Sequence, residues 1–182
     1  MGNGRNEVLI LSGPPGAGKT TVARLLTARR ERAVHLESDS FFHFIVSGYL
    51  EPWEPESHEQ NQAVMAAVGE AAARYARAGY FTLIEGIVSP GWFFPPLRQA
   101  LLKDGLPVAY AILRPSLAVA VQRAQNRPSG RLSEPKVIEQ LWHDFADLDE
   151  ALEPHVIDTT ELTAQDTAEI LDGQLLRGAL TV

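Results

Sequence analysis

The run Gly13-Pro14-Pro15-Gly16-Ala17-Gly18-Lys19-Thr20 fits the G-x-x-x-x-G-K-[ST] phosphate-binding pattern at every specified position. The chemistry explains the residue types. Backbone N–H groups of a glycine-rich turn curl around a triphosphate, and the helix that follows adds the partial positive charge of its N-terminus. Glycines permit close backbone approach and angles that a side chain forbids. Lys19 reaches the β- and γ-phosphates, and the Thr20 hydroxyl is placed to hold Mg²⁺. Residues Gly13 to Thr20, with Thr21 beside them, form the candidate nucleotide cradle.

Two carboxylates are candidates for the rest of the reaction. Asp39, in Glu37-Ser38-Asp39-Ser40-Phe41, is the candidate general base for an acceptor hydroxyl. The competing role for Asp39 is a helix N-cap, which Ser38 could also supply. Glu85, in Leu83-Ile84-Glu85-Gly86, stands where phosphate-loop proteins often place a carboxylate for Mg²⁺ or its water shell. It could instead bind an acceptor hydroxyl, with Gly86 beside it. Arg123, Arg127 and Arg131 recur at four-residue spacing around a Pro128-Ser129-Gly130 break. Such a hinge suits a lid at about 123–134, with Arg127 and Arg131 stabilising the transferred group and Arg123 binding the nucleotide. A solvated basic face is the plainer role for the same residues. Asp158-Thr159-Thr160 either meets the nucleotide base or caps the last helix. His35 reads as a strand or core histidine. No histidine pair has zinc-ligand company, so no structural metal is assigned.

These residues need elements to hold them. The apolar run Val8-Leu9-Ile10-Leu11 predicts a buried strand over 7–12, before a helix at 18–31. Further strands are predicted at 33–37, 80–85, 107–113 and 156–157. Helices are predicted at 40–48, 58–78, up to about 103, from near Pro115 to Asn126, from 133 to about 152, and at 164–176. Strands alternating with helices imply a parallel sheet covered on both faces. Ligands of such sheets bind beyond the C-terminal strand ends. The phosphate loop, Asp39, Glu85-Gly86, Arg114 and Asp158 all follow strands, so they converge on one edge.

Composition bounds the function. The chain has 182 residues and reads as one domain, 1–182. It has no cysteine, which removes disulfides, thiolate metal sites and cysteine nucleophiles. No stretch approaches 18 consecutive apolar residues, and the first residues lack a signal core, so a cytoplasmic protein without a membrane partner is expected. A net charge of −7 disfavours extended contact with nucleic acid. A monomer or homodimer acting on a small molecule is expected.

The phosphate loop, the Asp after the second strand, Glu-Gly after the third, the arginine-bearing break and the closing Ile157-Asp158-Thr159-Thr160 together resemble the small-molecule phosphate-loop kinases. The nearest likeness is to the chloramphenicol-phosphotransferase-like group, with gluconate and shikimate kinases more distant. The resemblance implies a three-layer α/β fold of the phosphate-loop NTPases, with a five-stranded parallel sheet in order 2-3-1-4-5. It implies ATP as donor and Mg²⁺ as cofactor. By position, Asp39 is similar to the catalytic Asp of that group.

The acceptor region departs from that pattern. Residues 40–62 contain no Lys or Arg and carry Glu51, Glu54, Glu56 and Glu59. An anionic acceptor needs cationic forks, so nucleoside monophosphates, gluconate and shikimate are disfavoured. Residues 40–62 and 86–96 also hold Phe41, Phe42, Phe44, Trp53, Trp92, Phe93 and Phe94. Ring faces suit a flat, apolar or cationic ligand. Phe41, Phe42, Trp53 and Trp92, with Glu85 and Gly86, are therefore the candidate acceptor contacts. The expected reaction moves the γ-phosphoryl group of ATP to a hydroxyl of a neutral or cationic organic molecule, a class that includes antibiotic-like metabolites. A nucleoside or nucleotide kinase, and an ATP-dependent regulatory protein without an acceptor, are the alternatives.

Overall fold

A computed structural model describes residues 7–103, 105–126 and 134–182. Its five strands are β1 (Val8–Ser12), β2 (Ala33–Glu37), β3 (Phe81–Glu85), β4 (Val108–Leu113) and β5 (Val156–Ile157), all parallel and ordered β2-β3-β1-β4-β5. The described helices are α1 (Lys19–Ala28), α2 (Ser38–Phe42), α3 (His58–Arg77), α4 (Phe94–Leu102), α5 (Leu117–Gln125), α6 (Pro135–His143) and α7 (Ala164–Arg177).

The central strand explains the layering. Every residue of β1 is buried, and its side chains alternate between two cores. Val8 and Ile10 join the core beneath α3 and α4, with Val64, Met65, Val68 and Leu97. Leu9 and Leu11 join the opposite core with Val22, Leu26, Leu171 and Leu175 of α1 and α7. The long helix α3 buries a stripe at helical spacing through Val64, Val68 and Ala72. Gly69 lets α3 approach α4, because a Cβ there would stand 2.7 Å from the Ala100 Cβ.

Two helices are shorter than their sequence implies. The helix expected over 40–48 ends at Phe42, and the chain turns through Ile45 and Val46 to Gly48 at φ +74°. A left-handed glycine does not continue a helix. The helix expected to reach about residue 152 stops at His143. There the Arg114 guanidinium donates to the Phe145 carbonyl at 2.9 Å, taking an acceptor that a longer helix would use. The same guanidinium makes two bonds to the Glu153 carboxylate, at 2.8 and 2.9 Å. Arg114 therefore braces the segment between α6 and β5. The last helix is capped by Thr163, whose hydroxyl and Asp166 satisfy each other's backbone N–H groups. The alternative role of Asp158-Thr159-Thr160 as that cap is thereby excluded.

Candidate active site

The C-terminal ends of the strands open into a cleft of about 700 Å³. The phosphate loop enters it through Pro15, Lys19 and Thr20. Glycine is required in this loop for two reasons at once. Gly13 and Gly16 have φ +138° and +84°, and a Cβ on either would meet a backbone carbonyl oxygen, Leu113 at 2.2 Å or Ala120 at 2.0 Å. The loop is thus packed between the end of β4 and α5. Gly18, at φ +92°, starts α1. Lys19 is buried, and its ammonium donates to the Gly13 and Pro14 carbonyls at 2.8 and 3.0 Å. Thr21 lies on the exposed face of α1.

Glu85 ends β3 with its side chain almost fully buried. Its Oε1 accepts the Thr20 hydroxyl at 2.6 Å, and its Oε2 is paired with His35 Nε2 at 2.9 Å. Burial pushes this carboxyl up, but hydrogen bonds from His35 and Thr20 and the charges of Lys19 and His35 outweigh it, leaving a net fall below the ordinary value. An ionised carboxylate only accepts, so His35 Nε2 carries the hydrogen. Glu37 lies against Glu85 in the parallel register of β2 and β3. The ligand atoms of His35, Glu37 and Glu85 fall within 4.8 Å of one another. A hard divalent cation takes oxygen ligands, and the Thr20 hydroxyl with the Glu85 carboxylate supplies such a pair beside the phosphate loop. These residues fit Mg²⁺.

Asp39 lines the cleft from the first turn of α2, with Glu37 at the cap position, so it is not the N-cap. Gly86 explains how α2 reaches the cleft. A Cβ on Gly86 would stand 1.9 Å from the Ser38 Oγ, so only glycine lets α2 seat on the end of β3. Gly86 is buried under that contact and does not line the cleft. Among the aromatic candidates, Phe42, Trp53 and Trp92 line the cleft. Phe41 does not; it packs against the core and against Phe44, with ring centroids 5.5 Å apart. Trp92 stacks on Phe93 with centroids 5.4 Å apart and planes 5° apart. Their loop is anchored at Val88. The Val88 carbonyl accepts the Ser12 hydroxyl at 2.8 Å and the Tyr110 hydroxyl at 2.6 Å, and its N–H donates to Ser12 Oγ at 3.0 Å.

Arg123 is not turned to the cleft described above. Its guanidinium donates to the Thr159 and Thr160 carbonyls at 3.1 and 3.3 Å, which ties α5 to the loop after β5. Arg127 and Arg131, and most of the expected lid, lie outside the described residues.

Sequence reading missed four groups that shape the cleft. His35 and Glu37 share a strand face by the period of two, and parallel pairing with β3 brings both to Glu85. That alternation was the available signal for them. Tyr49 and Asp144 carried no such signal. The Tyr49 hydroxyl donates to Glu51 Oε2 at 3.0 Å. Burial, this bond and the charges of Glu51, Asp39 and Glu54 push the Tyr49 hydroxyl up to about 12.

A family model described as an AAA domain matches residues 8–152. No curated protein matches the chain in sequence. Among solved structures, the Deinococcus radiodurans tunicamycin resistance protein is similar at 20% identity, with TM-score 0.70, covering 93% of this chain and 95% of that one. The shikimate kinase of Acinetobacter baumannii, solved with shikimate, is similar at 23% identity, with TM-score 0.63, covering 94% and 93%. The Mycobacterium tuberculosis APS kinase, solved with AMPPNP and APS, is similar at 14% identity, with TM-score 0.70, covering 94% and 98%.

Proposed function

The chain belongs to this AAA domain family, and from that premise we propose that it is an ATP-dependent phosphotransferase acting on a hydroxyl of a small organic molecule. The carrying observation is the single cleft that holds Lys19 and Thr20 of the phosphate loop together with Asp39 of α2. That two of the similar folds are a shikimate kinase and an APS kinase supports the same reading.

In this reading the loop backbone from Gly13 to Gly18 cradles the phosphates of ATP. The Lys19 ammonium exchanges its loop carbonyls for the β- and γ-phosphate oxygens. Thr20 and Glu85 hold Mg²⁺, which when bound neutralises phosphate charge. The Thr20 hydroxyl donates its hydrogen to Glu85, and a hydroxyl oxygen carries lone pairs of the kind a hard cation takes. Asp39 orients the acceptor hydroxyl and takes its proton as the oxygen bonds to the γ-phosphorus. The bond from that phosphorus to the β–γ bridging oxygen breaks, and ADP leaves with the electron pair. Little nucleophile activation is needed, so a carboxylate suffices as base. Arg127 and Arg131 are proposed to offset charge on the transferred group. Arg123 is proposed to fix the loop after β5 beside the nucleotide.

The acceptor is proposed to be neutral or cationic. Among the described residues lining the cleft, Lys19 is the sole Lys or Arg, and it is engaged in the phosphate loop. An anionic acceptor thus lacks the cationic fork it needs. The proposed setting is the cytoplasm, where ATP is available; no described helix is long and apolar enough to cross a membrane. The test is ADP release and product mass with Mg²⁺, ATP and a panel of alcohols, sugars and nucleosides. Phosphorylated product from a neutral or cationic alcohol supports the reading. Turnover stimulated only by sugar acids or nucleotides overturns the acceptor class, and ATP binding with no acceptor at all would favour a regulatory protein.

A further inference from the structure

The phosphotransferase cleft carries more negative charge than its chemistry uses. Five carboxylates line it: Glu37, Asp39, Glu51, Glu85 and Asp144. Asp39 and Glu85 are taken by the proton and by the Thr20–Mg²⁺ end. Glu37 lies with Glu85 and His35, their ligand atoms within 4.8 Å of one another, so it belongs to that same end; Glu51 and Asp144 remain, one from the loop after α2 and one from the end of α6. What makes this a binding site is the enclosed volume and the phosphate loop at one end; the carboxylates set its sign.

Two further observations agree on that sign. Trp53 and Trp92 line the same space with 52% and 37% of their surface exposed, although large rings are ordinarily buried. A ring face beside carboxylates attracts a cation and offers nothing to an anion. The Tyr49 hydroxyl, at the same wall, donates to Glu51 Oε2 at 3.0 Å, and it is pushed up first by burial, then by that bond and by the Glu51, Asp39 and Glu54 charges. Bound ATP adds more negative charge to the cleft. A neutral alcohol would leave the charges of Glu51 and Asp144 without a counter-ion, whereas an ammonium group supplies one.

Resting on the phosphotransferase reading, we infer that the acceptor is a hydroxylated amine, its ammonium held by Glu51 and Asp144 against the faces of Trp53 and Trp92 while its hydroxyl meets Asp39. The amine stays protonated throughout. The hydroxyl proton passes to Asp39, the acceptor oxygen bonds to the γ-phosphorus, and ADP leaves.

The experiment pairs each of a set of amino sugars, aminocyclitols and amino alcohols with its N-acetylated counterpart, which keeps the hydroxyls and removes the charge. The full chain receives each compound with Mg²⁺ and ATP, and ADP release and product mass are read. Amines are expected to be phosphorylated with kcat/KM at least tenfold above their N-acetyl counterparts. Raising salt should raise KM for the amines, because partly exposed charge pairs are screened. The double variant Glu51→Gln/Asp144→Asn should raise KM for an amine about tenfold, the scale of a lost charge-assisted hydrogen bond. Its ATP affinity by calorimetry is expected to stay within about twofold, which also reports an intact fold. Equal or better use of N-acetyl compounds overturns the inference, as does an unchanged amine KM in the double variant. Phosphorylation of neutral alcohols alone overturns it while the phosphotransferase reading stands. ATP binding with no phosphorylated product from either series overturns both.

Discussion

Thr20 and Glu85, 65 residues apart in the chain, share a 2.6 Å hydrogen bond that joins the phosphate loop to the end of β3. The second oxygen of Glu85 is held by His35 at 2.9 Å, so the carboxylate is clamped from the middle of β2 and from α1. A carboxylate fixed at both oxygens cannot rotate, and it presents the Thr20 hydroxyl in one orientation. Partners of a metal-holding carboxylate commonly matter by 10- to 100-fold in affinity.

His35→Ala should therefore weaken the Mg²⁺-dependent part of ATP affinity by about tenfold, on that scale. ATP affinity without Mg²⁺ should stay the same. Calorimetry with and without the metal separates the two. His35→Gln, which can still donate to Oε2, should recover part of the loss; equal losses in both variants would assign His35 to packing alone.

The phosphate loop and the proposed base should fail differently. Lys19→Ala should cut kcat/KM for ATP by about 10²- to 10³-fold, through loss of a preorganised cation. Asp39→Asn keeps the shape and removes the basicity, so kcat should fall by about 10²- to 10⁴-fold. Its ATP affinity by calorimetry should be close to that of the wild type. Lost ATP affinity with unchanged turnover in the Asp39 variant would remove it from the proton's path.

Gly86→Ala should cost about 1–3 kcal/mol of stability by overpacking, since the new Cβ would lie 1.9 Å from Ser38 Oγ. It should also lower kcat by displacing α2 and Asp39. Adding Ser38→Ala removes the Oγ and leaves the Cβ of residue 38 as the nearest contact, at 3.1 Å. The double variant is thus expected to be more stable than Gly86→Ala, a non-additivity that thermal melting reads directly.

Acid should weaken the fold through Glu85. Its pKa in the folded chain lies below the ordinary 4.5. Its contribution is complete above that ordinary value and is lost as pH falls through the lower folded value. The melting temperature of the wild type should thus drop more steeply between about pH 5 and 3 than that of Glu85→Gln. Parallel curves for the two proteins would show that the clamp does not contribute to stability.

The glycine loop, the alternation of strands and helices, and the placing of Asp39 and Glu85 at strand ends were legible in the residues alone. Those features are local. A phosphate cradle needs glycines at fixed spacing, and a strand buried on both faces must be apolar throughout, so each leaves its mark within a few residues. The order β2-β3-β1-β4-β5 agrees with the family resemblance. Other features depend on partners distant in sequence. The role of Gly86 is set by Ser38, the end of α6 by Arg114, and the orientation of Glu85 by His35. Asp144 reaches the cleft only because α6 folds back over it. Backbone propensity and periodicity act between neighbours in the chain, whereas contact across a sheet edge is decided by packing; the meeting of Asp144 with Asp39 and Glu51 in one cleft was therefore settled only when distant segments came together.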